Sequence, residues 1–401
     1  MAATIRSVET MVVALPREIP YLGPLGEGEH VNERGYFVRR GNRTIYPTTD
    51  RSAIVKITAS DGTVGWGETY GIVAPQAVLA IISDVLGPLL VGREAVDIPA
   101  IWDELYALMR VRGHWSGFFT DAIAGVDIAL WDLAGKLAGR SVADMLGGAR
   151  RASIPAYASG LPRASLAERV ALAQELAALG FRGIKFAAVI SQQSAQQGAQ
   201  QGSHQSVVDE MRALRRALGD EIEIMVDLHW KYTPTEAITL IRALEPYRPY
   251  FVEAPCAPED IDGQADVAAN VTVPIAGGEE WSTLFQVRPR LAHRCVSIIQ
   301  PEVAHTGLSQ FAAIGEHAAA QGVRVVPHAT IGVGIFHAAS LLGAASLADV
   351  PFHEHQHSVF DANLRFVETQ MRCVEGHFEL PRGPGLGVEP KAELWRHIVK
   401  F

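Results

Sequence analysis

The sequence contains little cysteine, no long hydrophobic run and no excess of positive charge. Its 401 residues include three cysteines, Cys256, Cys295 and Cys373, which are odd in number and widely spaced. This spacing does not fit a zinc motif and predicts free thiols in a reducing compartment. The first residues lack an apolar secretory region with a cleavage site, and no apolar run reaches membrane-spanning length. We therefore expect a cytoplasmic protein with no membrane partner.

Positive charge is also scarce. The 35 lysines and arginines are outnumbered by 44 aspartates and glutamates, which gives a formal net charge of −9, and no basic stripe occurs along the chain. This balance argues against nucleic acid as a partner. An acidic substrate would need a metal ion or a local lysine or arginine in order to bind.

What is present is typical of a globular protein of two or three domains, with 48% hydrophobic and 20% charged residues. The first part of the chain predicts an α+β unit, with a strand at 4–15, a long loop at 16–50 and a hairpin that turns at Ser60-Asp-Gly. Helical patterns follow at 75–92, 97–111 and 120–137. The length of the loop indicates a lid or binding role, with a packing insertion as the equal alternative.

From Ile154 onward, strands and helices alternate. Ser165 and Glu168 predict a capping box for a helix that ends near Gly180. Further strands are predicted at 181–189, 222–227, 249–253, 273–277, 295–300, 323–327 and about 350–354. Their number and period favour a (β/α) barrel of about eight strands. A doubly wound open sheet is the alternative, but it would require a Gly-rich phosphate loop, which the sequence lacks. The Gln- and Ser-rich tract at 191–206 is interpreted as a mobile excursion.

Acidic residues close three successive strands. Asp227 ends IEIMVD, Glu253 ends YFVE and Glu279 ends PIAGGE, at equal intervals along the chain. Each interval suits one βα repeat, so we expect three carboxylates at the same level on neighbouring parallel strands. One such acid alone would more often be a solvated or paired loop residue. Three in register predict a site for a hard divalent cation such as Mg²⁺, which prefers oxygen ligands.

Other strand ends carry residues that suit proton transfer beside a carboxylate, where a metal would stabilise the enediolate that forms. His328 is the predicted base, with Glu302 one strand away to orient its ring. His229 would lie near the metal and protonate a leaving hydroxyl, or else make a supporting hydrogen bond. Lys185 would neutralise the substrate carboxylate, pair with a metal-binding acid, or do both.

The sequence resembles the mandelate racemase subgroup of the enolase superfamily over nearly its whole length. The motifs that carry the resemblance are GWGE (65–68), DIALWDLAGK (127–136), PIAGGE (274–279), IQPE (299–302), VVPH (325–328) and GPGLG (383–387). The resemblance implies an α+β capping domain at 1–135, a modified TIM (β/α) barrel at 136–370 and a segment at 371–401 that returns to the capping domain. It also implies one Mg²⁺ per subunit, removal of a proton beside a carboxylate, and a cytoplasmic homo-oligomer.

The resemblance also assigns individual residues. Three positions match the family's metal ligands, namely Asp227, Glu253 and Glu279. Glu302 and His328 match its acid–base dyad, although the acid is usually Asp. Glu354 matches a late acid that contacts the substrate carboxylate.

One position departs from the family pattern, which commonly has Lys-x-Lys on the second barrel strand with the second lysine as a base. Here the segment is Lys185-Phe186-Ala187, so racemisation with bases on both faces of the carbon is not expected. Asp227-x-His229 looks instead like acid-sugar dehydratases such as galactonate dehydratase, in which this histidine is a general acid. We therefore predict a hydro-lyase that converts an aldonic or aldaric acid to a 2-keto-3-deoxy acid.

Two alternatives stay open. A cycloisomerase or epimerase acting on a sugar acid or its lactone would retain His328 but would not need His229 as an acid, and lactone cycloisomerases are similar in the GWGE and PIAGGE regions. A non-catalytic carboxylate-binding relative is the second alternative. Substrate selection is expected to depend on the 16–50 loop, which offers Tyr21, Arg39 and Arg40, and on the 191–206 tract.

Overall fold

The computed structural model describes residues 3–189, 200–328 and 332–400, which form a cap with an antiparallel sheet and a closed parallel barrel. The strands are β1 (Ile5–Pro16), β2 (Tyr36–Val38), β3 (Ile45–Pro47), β4 (Thr49–Ala59), β5 (Val64–Tyr70), β6 (Ser153–Ser159), β7 (Gly183–Ala187), β8 (Glu223–Asp227), β9 (Phe251–Glu253), β10 (Ile275–Gly277), β11 (Ile298–Ile299), β12 (Arg324–Val325), β13 (His353–Gln356), β14 (Val367–Thr369), β15 (Arg372–Val374), β16 (His377–Glu379), β17 (Val388–Pro390) and β18 (Ile398–Val399). The α-helices are α1 (Pro75–Ala80), α2 (Gly87–Leu90), α3 (Ile98–Arg110), α4 (Phe118–Ala138), α5 (Val142–Met145), α6 (Leu166–Ala178), α7 (Gln200–Leu218), α8 (Pro234–Leu244), α9 (Ile261–Asn270), α10 (Leu284–Ala292), α11 (Val303–Ala320), α12 (Ile335–Ser346) and α13 (Phe360–Leu364). The predicted fold class, an α+β cap on a modified TIM barrel, is confirmed.

The cap sheet has the strand order β18-β1-β4-β5. Strands β1 and β4 pair antiparallel from Ile5 opposite Ala59 to Pro16 opposite Thr49. The predicted hairpin between β4 and β5 is also present, and its turn uses the left-handed φ of 94° at Gly62. These long strands, paired along nearly their whole length, form a stable sheet in the cap.

Helix α4 packs directly on β5 because two glycines of the GWGE motif leave room for its backbone. A Cβ at Gly65 would lie 2.3 Å from the carbonyl oxygen of Ala129, and a Cβ at Gly67 would lie 2.0 Å from that of Gly125. Both distances are far below van der Waals contact, so any side chain would push the helix off the sheet. The motif therefore sets the distance between the helix and the strand.

The eight parallel strands β6 to β13 form the barrel. Neighbouring pairs run in order from β6 to β12, and β13 pairs with β6. Strands β12 and β13 are joined by backbone hydrogen bonds, from the amide of Glu354 to the carbonyl of Pro327 and from the amide of Val325 to the carbonyl of Asp349, each 3.2 Å long. The sheet closes on itself, so the doubly wound alternative is wrong. Within the described ranges, no helix has the length and hydropathy that a membrane span requires.

The predicted capping box begins α6. The side chain of Ser165 accepts the amide of Glu168, and the Glu168 carboxylate accepts the amide of Ser165, an arrangement that satisfies two free N–H groups of the first turn. The tract at 191–206 lies outside the described residues up to position 199. From Gln200 the chain is helical as α7, so the later part of the tract is not an irregular loop.

The last segment of the chain contributes to both units. Strand β16 pairs antiparallel with the barrel strand β6, with Phe378 opposite Ile154. Strand β18 pairs with β1, with Ile398 opposite Val13. Part of the segment thus extends the barrel sheet and only its end reaches the cap sheet. The domain boundaries at 135 and 370 stay predictions.

The 16–50 segment, expected as a loop, contains the hairpin of β2 and β3. Arg39 is fully buried and donates hydrogen bonds of 2.9 Å to the carbonyls of Tyr21 and Pro24. It also pairs with Glu29 at 2.6 Å. Arg39 therefore holds this segment together and does not offer its charge to a ligand. We call residues 16–50 the cap loop.

The cap and the barrel meet along α4 and α11. Trp131 donates its indole N–H to the hydroxyl of Ser309 at 3.0 Å, and that hydroxyl donates to Asp127 at 2.5 Å. Thr69 donates to the carbonyl of Ala304 at 2.6 Å. Burial raises the pKa of Asp127 to about 7. We call this row of contacts the cap–barrel seam.

Three buried histidines lie among aromatic rings beside β13. The rings of His337, His353 and His355 lie 4.9, 5.4 and 5.5 Å from the ring of Phe378. Neither ring nitrogen of His355 has a hydrogen-bond partner. Burial, and next the neighbouring His357, lower the pKa of His355 to about 3, while the Glu354 charge opposes them weakly. This cluster is therefore stable only in its neutral form.

We expect acid to destabilise the fold through His355. Its folded pKa lies below the unfolded value of about 6.5, so its contribution is complete above pH 6.5 and is lost as the pH falls towards the folded pKa. Between pH 7 and pH 5 the loss is about 2 kcal/mol in the free energy of unfolding. In urea unfolding, the free energy of unfolding of the parent should fall by more between pH 7 and pH 5 than that of His355→Leu. The difference between the two losses should be about 2 kcal/mol. The exposed His293→Leu is the control, and equal losses in all three proteins would contradict this account.

Candidate active site

A cavity of about 480 Å³ lies between the carboxyl ends of the barrel strands and the cap loop. The predicted site residues that line it are Lys185, Asp227, His229, Glu279, His328 and Glu354. Glu253 and Glu302 are buried directly behind them. The cap contributes Arg17, Tyr21, Tyr46 and Tyr70. The structure thus brings residues from the ends of five barrel strands to one pocket, with two more strand ends directly behind, as is usual for this architecture.

The three predicted metal-binding acids do not lie at one level of the sheet. Asp227 is opposite Glu253, but Glu253 is opposite Ala276, and Glu279 lies three residues beyond. The chain reaches Glu279 through a turn at Gly278, whose φ is 113° and whose added Cβ would lie 2.6 Å from the Trp281 ring. The expectation of a common rung is wrong for Glu279, because equal spacing in sequence does not fix equal strand length.

The donor set at this point fits a divalent cation. Glu253, Glu279 and His328 can each offer one ligand atom, and these atoms lie within 4.8 Å of one another. Two of the three predicted ligands are thus in this group, and the third, Asp227, is not. One carboxylate oxygen of Glu253 is buried without a hydrogen-bond partner. Burial is the main cause that raises the pKa of Glu279 well above its usual value, and the charges of Glu253 and Asp227 add to it. A cation would satisfy the first oxygen and remove the repulsion among these acids.

Asp227 is directed towards its own strand end. One carboxylate oxygen accepts the amide of His229 at 2.8 Å, and the other lies 3.0 Å from the Nδ1 atom of His229. The imidazole pairs with this acid, and despite burial the negative charge of Asp227 raises the pKa of His229. The backbone of His229 has a left-handed φ of 51°, which turns its ring into the cavity at a conformational cost.

Lys185 sits at the centre of the acids. Its Nζ atom lies 2.7 Å from Glu253 and 3.2 Å from Glu354. Burial lowers the pKa of Lys185, but these two carboxylates outweigh burial and hold the pKa well above its ordinary value. In return, Lys185 and then His328 overcome burial and lower the pKa of Glu354 to about 2. Lys185 is therefore a fixed cation suited to binding a carboxylate and not a base.

The two residues of the predicted dyad lie in contact. Glu302 and His328 are opposite each other in a parallel bridge, and Glu302 lies 3.0 Å from Nδ1 of His328. The other ring nitrogen, Nε2, lies 3.2 Å from Glu279 and 3.5 Å from Glu354. Burial lowers the pKa of His328, but the surrounding acids, with Glu279 first, raise it well above normal. The dyad fixes Nε2 as the nitrogen that faces the ligand.

Ala187 occupies the position where the family pattern has a second lysine. It lies opposite Asp227 on β7 and lines the cavity. Among the eight strands, β8 and β12 are four apart, so His229 and His328 stand on opposite sides of the pocket. Among the predicted site residues that the structure describes, these are the two imidazoles that line the cavity.

The GWGE motif is recognisable in the sequence, but the role of its acid, Glu68, was not predicted. Glu68 accepts backbone N–H groups from Val333 at 2.6 Å, Ile335 at 2.9 Å and Phe336 at 3.0 Å. Burial is the largest influence on its pKa and raises it. Glu68 thus binds the start of α12, a few residues after His328, to the cap strand β5. Only the position of the acid after a tight glycine pair could have indicated this.

Comparisons with known proteins agree on the family. The description "Enolase C-terminal domain-like" matches residues 168–394, and "Mandelate racemase / muconate lactonizing enzyme, N-terminal domain" matches residues 44–147. The chain is 34% identical over 361 residues to a D-galactarolactone cycloisomerase from Agrobacterium fabrum, which covers 85% of this chain and 89% of that protein. It is 32% identical to a D-galactonate dehydratase from Pectobacterium atrosepticum, over 88% of this chain and 92% of that one. A crystal structure of an enolase superfamily member from Agrobacterium tumefaciens is 47% identical over the whole of both chains, with a TM-score of 0.94.

The chain therefore belongs to the enolase superfamily, in its mandelate racemase subgroup. Members of this superfamily bind Mg²⁺. The acidic cluster at the mouth of the barrel is the matching feature of this chain.

Glu68 does not line the cavity, but replacing it should change the shape of the cavity. The substitution Glu68→Gln replaces a charged acceptor of backbone N–H groups with an amide, and we expect a loss of about 2 kcal/mol in the free energy of unfolding together with a lower kcat. Ser52→Ala is the control, because it removes one donor to Glu68 and leaves the three backbone bonds. A Glu68→Gln variant with the parent's melting temperature and kcat would refute the role.

We expect Mg²⁺ to raise the melting temperature of the protein, since an ion that binds only the folded state stabilises it by about 2.7 kcal/mol at a hundred times its Kd. Glu253→Gln and Glu279→Gln should abolish this rise. Without metal, Glu279→Gln should be at least as stable as the parent because repulsion among the acids is relieved. The neighbouring Glu280→Gln is the control and should retain the response. A full response in Glu279→Gln would contradict the assignment.

Proposed function

We propose that this protein is a magnesium-dependent acid-sugar dehydratase, a hydro-lyase that converts an aldonic or aldaric acid to a 2-keto-3-deoxy acid. The observation that carries the proposal is the placement of one imidazole on each side of the cavity, His328 after β12 and His229 after β8, with no second lysine on β7. A pair of this kind suits removal of a proton at one carbon and protonation of a hydroxyl at the next. The named relatives that process acid sugars support the same class of substrate.

The carboxylate of the substrate would bind at the end of the pocket that holds Lys185. This lysine carries the fixed positive charge there, and Glu354 contacts the same end. Asp227, Glu253 and Glu279 would hold the Mg²⁺. When bound, the ion neutralises these acids and draws charge from the substrate carboxylate, which makes the adjacent C–H bond more acidic.

His328 takes the proton from C2. Its Nδ1–H donates to Glu302 at 3.0 Å, so Nε2 is the nitrogen that faces the cavity. Glu279 is the first of the charges that raise the pKa of His328. With that charge neutralised by a bound ion, Nε2 would lose its proton and accept the one from C2. The electron pair of the C2–H bond first moves onto the carboxylate and gives an enediolate. It then returns to form the C2=C3 double bond as the C3–O bond breaks, which restores the carboxylate. Lys185 lies close enough to the carboxylate end to offset the negative charge that develops there.

His229 gives its proton to the departing hydroxyl, which leaves as water. The Asp227 carboxylate favours the protonated imidazole, as a general acid requires. Because His229 and His328 lie on opposite sides of the cavity, the proton and the hydroxyl leave from opposite faces. The resulting enol becomes the 2-keto acid when its C2 hydroxyl loses a proton and C3 gains one.

A cycloisomerase acting on a sugar-acid lactone is the second candidate, and the similarity to the D-galactarolactone cycloisomerase favours it. It would use His328 in the same way and would not need proton delivery from His229. A non-catalytic carboxylate-binding protein is a further alternative. The cytoplasmic location and the homo-oligomeric state stay proposals.

A panel of aldonic and aldaric acids and their lactones, incubated with Mg²⁺ and assayed for 2-keto acid, tests the proposal. We expect keto acid from at least one free acid, and a loss of about 10²- to 10⁴-fold in His328→Asn. Lactone conversion without keto acid would establish the cycloisomerase. No turnover of any acid or lactone would leave only the binding protein.

The variant His229→Asn separates the two proton transfers. We expect keto acid formation to fall about 100-fold or more, while exchange of the C2 hydrogen with D₂O, followed by NMR, continues through His328. Loss of exchange together with dehydration would show that His229 does not act on the hydroxyl alone. Unchanged dehydration would show that it is not the acid.

A further inference from the structure

A second histidine–carboxylate pair lines the cavity. Nδ1 of His305, in the first turn of α11, lies 2.6 Å from Asp121 of α4. Both residues contribute to the cavity wall. The side chain of His305 is 25% exposed and that of Asp121 is 7% exposed. The pair therefore joins the cap to the barrel and also presents a ring edge to the pocket.

His305 lies on the same side of the pocket as the dyad. It follows Glu302 by one helical turn, and its ring stacks on Tyr70 with 4.4 Å between centroids. The hydroxyl of Tyr70 lies 3.4 Å from Glu302. Since Tyr70 and Asp121 both belong to the cap, His305 stands on the cap side of His328, away from Lys185.

The chemistry of the ring suits hydrogen bonding to a neutral oxygen. Asp121 occupies Nδ1, so Nε2 is the nitrogen that remains for a ligand. Burial lowers the pKa of His305, but Asp121 raises it by more, so the pKa lies above its ordinary value. The ring can donate from Nε2 when it is protonated and accept when it is neutral.

A purely structural role is the competing explanation, because the cap–barrel seam already contains polar pairs. Ser309 makes two such polar contacts, with Asp127 and with Trp131, and none of these three residues lines the cavity. His305 differs in that its ring reaches the cavity wall. In the proposed mechanism Lys185 binds the carboxylate, His328 faces C2 and His229 faces C3. His305 would therefore contact the part of the substrate beyond C3, on the cap side of the cavity.

We propose that His305, held by Asp121, hydrogen-bonds a hydroxyl of the substrate beyond C3 and so selects polyhydroxylated acids over short 2-hydroxy acids. The inference rests on the proposed function for the orientation of the substrate, since it takes the carboxylate end to be at Lys185. It makes His305 a specificity residue that contacts the substrate and has no part in either proton transfer.

Binding measured in the His328→Asn background by calorimetry with Mg²⁺ tests this without depending on turnover. The probes are a panel of hexonic and hexaric acids, with L-lactate as the short acid. We expect His305→Phe, which keeps the stacking on Tyr70, to weaken the tightest six-carbon acid at least tenfold and to leave lactate within twofold. His305→Gln should restore most of the affinity because its amide can still donate.

Ser309→Ala is the matched control, since it removes a seam contact that does not face the cavity. It should lower the melting temperature and leave the ratio of the two affinities unchanged. If His305→Phe does not fold, Asp121→Asn gives the same readout and should lower the ratio.

Equal losses for the six-carbon acid and lactate, or no loss for either, would overturn the proposal. It would also be overturned if no six-carbon acid bound more tightly than lactate before the change. Failure of the dehydratase proposal appears separately, as absence of keto acid from the protein with His328 intact.

Discussion

The structure depends on the balance of charge at the mouth of the barrel. Three buried carboxylates, those of Asp227, Glu253 and Glu354, converge there with the partly exposed Glu279 and one buried lysine. Buried like charges cannot all remain ionised without compensation. Lys185 compensates Glu253 and Glu354, and the rise in the pKa of Glu279 marks what is left uncompensated. A divalent cation would supply the missing charge, so metal binding and the packing of the strand ends would depend on the same residues.

The cap holds this arrangement from above. Gly65 and Gly67 let α4 lie directly on β5, and Glu68 in the same motif binds the backbone that follows His328. One short motif thus connects the position of the cap helix to the position of His328. The cap loop is built separately around the buried Arg39, which explains how it can line the cavity while using its internal contacts for its own shape.

Much of the fold and of the candidate site could be predicted from the sequence because the ends of strands can be recognised in it. A run of apolar residues that stops at an acid identifies both a strand and its end, and this located Asp227 and Glu253. Polar residues at the other strand ends located Lys185, Glu302 and His328. The level of each carboxylate in the sheet could not be predicted, because it depends on where each strand bends, as at Gly278 before Glu279. Contacts between distant segments, such as Glu68 with Val333 or His305 with Asp121, have no local signal. The role of Arg39 was equally hidden, because a buried arginine and a ligand-binding arginine look alike in sequence.

The most direct measurement is a crystal structure of the His328→Asn variant with Mg²⁺ and an acid sugar. The account predicts a single ion among Asp227, Glu253 and Glu279, the substrate carboxylate beside Lys185, and C2 about 3.5 Å from the side chain at position 328. An ion bound elsewhere, or a sugar acid whose C2 faces away from that side chain, would contradict it.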